Sequence, residues 1–558
     1  MLLQTVLLGL FTLITIVKTE ITCQQDYWSE TIVIFLFKNV RFGTVPVRFG
    51  RSISPDWLND TVQNIDEDIS CIQLNISNLQ EPPGGRPLLG DPMPSGLQSE
   101  DCLYLDIYVP VSAFQSETKP LPVVQEPDGP LYSGQSILNA SNYQTIFITG
   151  NYRVGASGWL AGDYMQAVGQ PNNGLYDQAL LLEWVRDHVH LLHGDKDRVS
   201  AWGESAGASS IRHHLVREDG KQDPLFRTFA VQSPAFQWSW DNSPNGTLDN
   251  IYRLFSNLSG CGYIYNISCL RNASLAKLIE ANQELFHQVK LKGYFPVGPA
   301  VDGDWIKSIP TVQFSQGNYW REIDSAIISH CANEAHSFTP NISTPEKVDE
   351  FLHDFFSGEK LEDVRTAIRE QYNCTANFSG DFHLCLATTI QDAMFTCNTR
   401  DLFDAYPNMA HMMQYEFPIA TLAYHASDLI PLFTNNKREV IELVGDLGDI
   451  YAWLLGDEIP WGYKRYFASF ALSGDPNTGI EPPILQWPVA DGSSDRLSNV
   501  MDVSWGFSLV DKFRLVKDNE NKKSTCSFWT DIAKNITLLQ LETDGKWQVS
   551  LPEDPDEL

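Results

Sequence analysis

Gly203-Glu204-Ser205-Ala206-Gly207 is the single Gly-x-Ser-x-Gly in the 558 residues of this chain, and its setting limits the fold more than any other feature. The strand-like run Val199-Ser200-Ala201-Trp202 ends just before it, and a helix-like run from Ala206 to Val216 begins at its far side. A strand that becomes a helix within so few residues pushes the serine Oγ off the backbone at a helix N-terminus. Small residues at 203 and 207 let neighbouring backbone pack against so tight a turn. The bland alternative is an idle serine in a surface turn. Leu103 to Val109 and Thr145 to Thr149 have strand length and strand composition. From Leu175 to Leu192 the apolar residues Leu175, Ala179, Leu182, Val185 and Val189 are interspersed with Asp177, Glu183, Arg186 and Asp187, which predicts an amphipathic helix. Alternating strand and helix predicts an α/β fold with a mainly parallel sheet.

The chain is long enough for a large core, and 43% apolar residues exclude global disorder. With 39 Lys and Arg against 70 Asp and Glu, the formal net charge of -31 opposes a phosphate backbone, so nucleic acid is excluded as a partner. Residues 81–96 hold nine Pro or Gly in sixteen and read as a loop between Cys71 and Cys102. No repeat and no composition break divides the remainder. The expected organisation is a leader over 1–20, one domain over 21–545 and an acidic tail over 546–558.

The apolar stretch Leu2 to Val17 is interrupted by polar residues and too short for a membrane span, so it reads as a signal peptide and no stable membrane span is expected. Eleven Asn-x-Ser/Thr sequons begin at Asn59, Asn75, Asn139, Asn245, Asn257, Asn266, Asn272, Asn341, Asn373, Asn377 and Asn535, and favour passage through a glycosylating compartment. Ten cysteines without a Cys-x-x-Cys pair point to disulfides rather than zinc. Secretion, or residence in the secretory pathway, follows. The terminal Pro555-Asp556-Glu557-Leu558 resembles a retrieval signal with Pro in place of the basic residue. His188, His190 and His193 do not align on one helix face, and no phosphate loop or metal motif is present, so neither cofactor nor metal is expected.

Ser99-Glu100-Asp101-Cys102-Leu103-Tyr104-Leu105, Gly150-Asn151-Tyr152-Arg153-Val154-Gly155, Asn173-Gly174-Leu175-Tyr176-Asp177-Gln178 and the serine turn together resemble the type-B carboxylesterase and cholinesterase family of α/β-hydrolases, especially its fungal members, over residues 38–540. The resemblance implies an α/β-hydrolase fold: a large, mostly parallel sheet flanked by helices, with loop and helical insertions. It also implies a Ser205 nucleophile, a His425 base from His425-Ala426-Ser427-Asp428-Leu429, and a Glu334 acid from Ser329-His330-Cys331-Ala332-Asn333-Glu334-Ala335. Glu204 and Ser233 match positions that flank and support such a triad. Cys71–Cys102, Cys261–Cys269 and Cys397–Cys526 are the pairs the resemblance implies. Cys374 with Cys385 is a further pairing, which leaves Cys23 and Cys331 unassigned.

One landmark departs from the family. Anchored on Gly134, the positions of the two oxyanion donors fall on Gly129 and Pro130, and proline has no N–H to give. Gly129 and Ala206 are the donors left, and losing one donor typically costs about 10²- to 10³-fold in turnover. A rebuilt oxyanion hole, a lineage losing activity and an error in the reading of the gene would each produce this pattern. The function expected is hydrolysis of a small or medium ester through an acyl-enzyme. A natural-product ester or lactone of a fungal secondary-metabolite pathway lies within that class. The rival is a catalytically impaired cholinesterase-like binding protein. Activity is expected to rise with pH as His425 loses its proton, near about 6 to 7.

Overall fold

The computed structural model describes residues 21–22, 33–56, 67–74, 97–114, 121–127, 134–235, 237–290, 295–479 and 484–544. The expected leader and tail, Cys23, Asn59, Asn75, the Pro- and Gly-rich loop, Gly129 and Pro130 lie outside them. An eleven-stranded sheet runs through the molecule. Its strands are β1 (Ile21–Thr22), β2 (Ile34–Arg41), β5 (Tyr104–Pro110), β6 (Leu121–Pro127), β7 (Ile146–Gly150), β8 (Gly194–Glu204), β9 (Thr228–Gln232), β10 (Ser325–Cys331), β11 (Ala410–Tyr415), β12 (Val500–Val503) and β13 (Phe513–Val516). The short pair β3 (Ile69–Cys71) and β4 (Leu97–Ser99) forms a separate two-stranded sheet. In the large sheet the order is β1-β2-β5-β7-β6-β8-β9-β10-β11-β12-β13. The seven strands from β7 to β12 are mutually parallel, and the antiparallel pairings lie at the two edges.

Strands buried on both faces need apolar residues at every position, and alternate residues serve opposite cores. Val123, Ile146, Ile148, Phe229, Val231, Ala326 and Ile328 join one cluster, whereas their neighbours Val124, Phe147, Ala230 and Ile327 join another on the far face. The helix Asn173–His188 closes the first face through Leu181, Leu182 and Val185. Glu458–Ser473 closes the second through Tyr463, Tyr466, Phe467 and Phe470.

The first of these helices differs from its sequence pattern in one respect. Asp177, expected among the polar residues of an amphipathic helix, is fully buried and held by Arg153, whose Nη2 lies 2.8 Å from Asp177 Oδ1. A buried ion pair looks like surface polarity in a one-dimensional pattern. The helix also gives way to a 3₁₀ turn at Val189–Leu192, short of the periodic stretch.

Among the described residues there are four disulfides, Cys71–Cys102, Cys261–Cys269, Cys374–Cys385 and Cys397–Cys526, while Cys331 is a buried free thiol. Of the nine described sequon asparagines, Asn266 is half-buried and Asn139, Asn245, Asn257, Asn272, Asn341, Asn373, Asn377 and Asn535 are exposed, open to attachment of a glycan. No helix among the described residues is long and apolar enough to cross a membrane.

Cys397–Cys526 spans 129 residues and ties the helix Cys397–Ala405 to the long helix Lys523–Asp544. On the chain-entropy argument, a loop of that size restricts the unfolded chain by about 4 to 5 kcal/mol. The Cys397→Ser/Cys526→Ser double variant is expected to lose most of that in urea unfolding. A loss under about 1 kcal/mol would show that the bridge does not constrain the unfolded chain.

Candidate active site

The site lies at the carboxyl ends of β8, β10 and β11, where loops leaving a parallel sheet gather side chains from distant parts of the chain. β8 stops at Glu204, and Ser205 turns the chain with φ 54° and ψ -120°, a left-handed conformation rare for a residue with a Cβ. The helix Ala206–Leu215 starts at the next residue. The turn is held by Ser205 N–H donating to Gln232 O at 2.9 Å and Ala235 N–H donating to Ser205 O at 3.2 Å. Gly203 is required there, because a Cβ on it would meet the backbone of Gly207 at 2.5 Å.

Two further loops bring the partners of Ser205. After β10, Glu334 is fully buried, and its Oε1 accepts the backbone N–H of Cys331 at 2.7 Å. The loop beyond β11 carries His425 and is zipped to the first: Asn333 N–H donates to Ala423 O at 3.0 Å, and Asn333 Nδ2 donates to Thr421 O at 2.9 Å. His425 Nδ1 therefore meets Glu334 Oε2 at 2.6 Å, and Nε2 meets Ser205 Oγ at 2.8 Å. With the Nδ1 proton on the carboxylate side, Nε2 faces the hydroxyl as an acceptor.

Glu204, one residue before the serine, has Oε1 3.2 Å from His425 Nε2. Ser233 is also buried, with φ 48°, and its hydroxyl has no hydrogen-bond partner among the described residues. Ala206 lines the site and stands in the first turn of its helix, where no carbonyl four residues back accepts its N–H. Gly129, the other donor expected from sequence, lies outside the described residues, as does Pro130.

The electrostatics centre on one imidazole among several carboxylates. Burial alone would lower His425; Glu204, Glu334 and the hydrogen bond to Glu334 together outweigh it and raise the group from 6.5 to about 9. That lies above the range expected from sequence, which counted one acid rather than two. Burial pushes Glu204 up to about 8 against the pull of His425. Asp428 is fully buried beside them and pushed up to about 6 by burial; its Oδ2 accepts from Gln232 Nε2 at 2.8 Å and Ser329 Oγ at 3.3 Å. Asp428 stands in the His425 segment, yet nothing in the sequence marks it as part of this network.

Ser205 and Ala206 open into a cavity of about 390 Å³ walled by Leu74, Tyr152, Trp159, Phe286, Phe295, Val297, Phe338, Met394 and Phe395, with Gln73 and Gln237 among the few polar groups. The rings of Phe338 and Phe395 stand edge-on to His425, 5.2 and 5.1 Å between centroids. Phe395 comes from a π-helical turn, Asp392–Thr396, which no sequence periodicity announces.

Comparison with known proteins places the chain in a family. The sequence pattern of the carboxylesterase family matches residues 24–529. The chain belongs to the carboxylesterase family. It is 37% identical to a secreted lipase of Arthroderma benhamiae over 78% of this chain and 84% of that protein. To the carboxylesterase patB of Aspergillus clavatus it is 27% identical, over 78% and 76%. Among solved structures it resembles Aspergillus niger EstA with a TM-score of 0.72 at 23% identity, covering 90% of this chain and 95% of that one, a likeness of fold. The fold is that of an α/β-hydrolase, and the protein is a carboxylic-ester hydrolase.

For His425 to act as a base its Nε2 must be free of its proton, so activity is expected to rise as pH climbs through the pKa of His425. Glu204→Gln removes a carboxylate that holds that proton. The acidic limb of kcat/KM is expected to move to lower pH by about one unit. An unmoved limb would mean that Glu204 does not set the basicity of His425.

Proposed function

We propose that this carboxylesterase works by two-step acyl transfer, with Ser205 as nucleophile, His425 as base and then acid, and Glu334 as the group that orients the imidazole. The observation that carries this reading is the unbroken run Ser205 Oγ, His425 Nε2, His425 Nδ1, Glu334 Oε2, with gaps of 2.8 and 2.6 Å on either side of the ring. As Oγ attacks the ester carbonyl, its proton passes to Nε2 and negative charge develops on the carbonyl oxygen, towards the N–H of Ala206. Collapse of that intermediate breaks the bond to the alcohol oxygen, which takes the proton from Nε2. Water repeats the sequence on the acyl-serine, returning the acid and the free hydroxyl. Glu334 accepts from Nδ1 throughout and steadies the imidazolium.

The cavity supports a neutral substrate. No Asp, Glu, Lys or Arg is among the described residues that line it, so a charged acyl group would lose its hydration without a counter-ion. The aromatic and aliphatic walls suit a small or medium acyl chain or a compact ring, which includes natural-product esters and lactones. Relatives named secreted lipases make a triacylglycerol the natural comparison substrate. Exposed sequons and four disulfides favour work outside the cytosol.

A fluorophosphonate probe followed by intact-mass analysis tests the reading. One adduct is expected on the wild type and none on Ser205→Ala, and His425→Ala is expected to lose about 10⁴- to 10⁶-fold in kcat. On a chain-length series of p-nitrophenyl esters, turnover should peak at short to medium acyl groups and exceed that on emulsified triacylglycerol. A folded wild type that takes no label would overturn the mechanism.

A further inference from the structure

A second buried cluster, which the hydrolysis itself does not use, stands directly behind the loop that carries Glu334. His330 is fully buried near the end of β10, with Nε2 2.8 Å from Asp518 Oδ2 and Nδ1 3.5 Å from Glu520 Oε2. Asp518 is fully buried as well; its Oδ1 accepts the backbone N–H groups of Glu520 at 2.9 Å and Asn521 at 3.0 Å. Gln391 completes the cluster, with Nε2 donating to Glu520 Oε2 at 2.9 Å and reaching Ala332 O at 3.4 Å.

Three separate parts of the chain meet here. The first is the end of β10, which runs through Ala332 to Glu334. The second is the segment 518–521. The third is the helix Phe382–Gln391, which leads straight into the π-helical turn that sets Met394 and Phe395 on the cavity wall and Phe395 against His425. Single π turns of this kind are concentrated at functional sites.

The ionisable groups facing His330 are Asp518, Glu520, Glu334 on its own loop and Glu416 beyond β11. All are acids. Burial opposes a charge on His330, but Asp518, with Glu520 and Glu334 behind it, raises the group to about 10, and Asp518 in turn is lowered by His330 against its own burial. Burial pushes Glu520 up to about 8. With a carboxylate facing each ring nitrogen, His330 is held in its charged form.

We propose that His330, clamped to Asp518 and Glu520, is a positioning residue for the triad: a fixed buried cation behind Glu334 that keeps the acid loop and the Phe395 wall in register with His425. This rests on the acyl-transfer reading above. Removing the cation leaves the acids around His425 less compensated, so His425 should hold its proton to higher pH, and the loosened loop should slow chemistry more than it weakens substrate binding. A small displacement of this sort, imposed away from the reacting atoms, can cost up to about 10²-fold.

Three full-length variants test it: His330→Gln, Asp518→Asn, which keeps the shape but removes the charge that holds the His330 proton, and Gln391→Ala, which leaves the ion pair intact and cuts its tie to Ala332. The readouts are kcat per active site, titrated by the fluorophosphonate burst, together with KM and the pH profile of kcat/KM. For the first two, kcat per titrated site is expected to fall about 10- to 100-fold with KM within about threefold, and the acidic limb to move to higher pH. Gln391→Ala should lower kcat per site without moving the limb, and it keeps the question open to test if the charge variants do not fold. A merely structural cluster would reduce the number of titratable sites and leave kcat per site and the limb unchanged in every folded variant, which would overturn the proposal. Loss of wild-type turnover in Ser205→Ala is the control. If Ser205→Ala keeps full activity, the triad reading has failed and the positioning role falls with it, whereas wild-type-like folded variants beside a dead Ser205→Ala sink the positioning role alone.

Discussion

Everything at the site depends on one strained residue. Ser205 sits at positive φ because β8 stays paired with its parallel neighbour β9 up to Glu204, while the helix behind it must begin at once. The penalty for such a conformation is of the order of 1 to 3 kcal/mol and persists only where the surroundings over-determine it. Here those surroundings are the register of β8 with β9, which sets Glu204 opposite Gln232, the backbone bond from Ser205 to Gln232, and the closeness of Gly203 to Gly207. The same register puts Gln232 where its side chain can hold Asp428, so the strand pairing that aims the serine also builds the base's surroundings.

Those surroundings work by an excess of negative charge in a dry place. His425 is attracted to Glu334, which orients it, and to Glu204, which has no geometric role on Nδ1 and competes with Ser205 for Nε2. A base with two acids close by is stronger than free histidine, and its protonated form, the species that the proposed acyl transfer builds up during attack on the carbonyl, is stabilised before substrate arrives. The drawback is a proton held too long at neutral pH. Burial of Glu204 moderates it, because burial favours the neutral carboxyl and so weakens its hold on the imidazolium.

How much of this could be read from sequence depended on whether the signal was local. The serine turn, its flanking strand and helix, and the segments around Glu334 and His425 are contiguous in the chain, and their residues meet in the structure. The parallel sheet was legible from apolar runs of strand length alternating with helical periodicity. Asp177 was legible only as a polar residue in a helix, since its burial depends on Arg153, 24 residues earlier. The link between His330 and Asp518 joins positions 188 residues apart. Phe395 reaches His425 only because a π turn rotates it there, and no spacing of hydrophobic residues encodes that rotation.

The far end of the chain reaches the site through packing rather than through chemistry. Cys397 follows the π turn immediately, and its disulfide to Cys526 fixes the exit of that turn to the C-terminal helix. Its entrance is fixed by the same helix: Trp529 Nε1 donates to Tyr372 OH at 2.7 Å, and that hydroxyl donates to Asp392 Oδ2 at 2.7 Å. Burial keeps Asp392 raised, to about 6, so the hydrogen bond from Tyr372 replaces the water it has lost. Both ends of a five-residue wall segment are thus held from residues 526–529, more than 300 positions after Ser205, and the segment cannot keep Phe395 against His425 unless that late helix has docked. Order in the substrate cavity therefore depends on the docking of the C-terminal helix as much as on the loops that carry the triad residues.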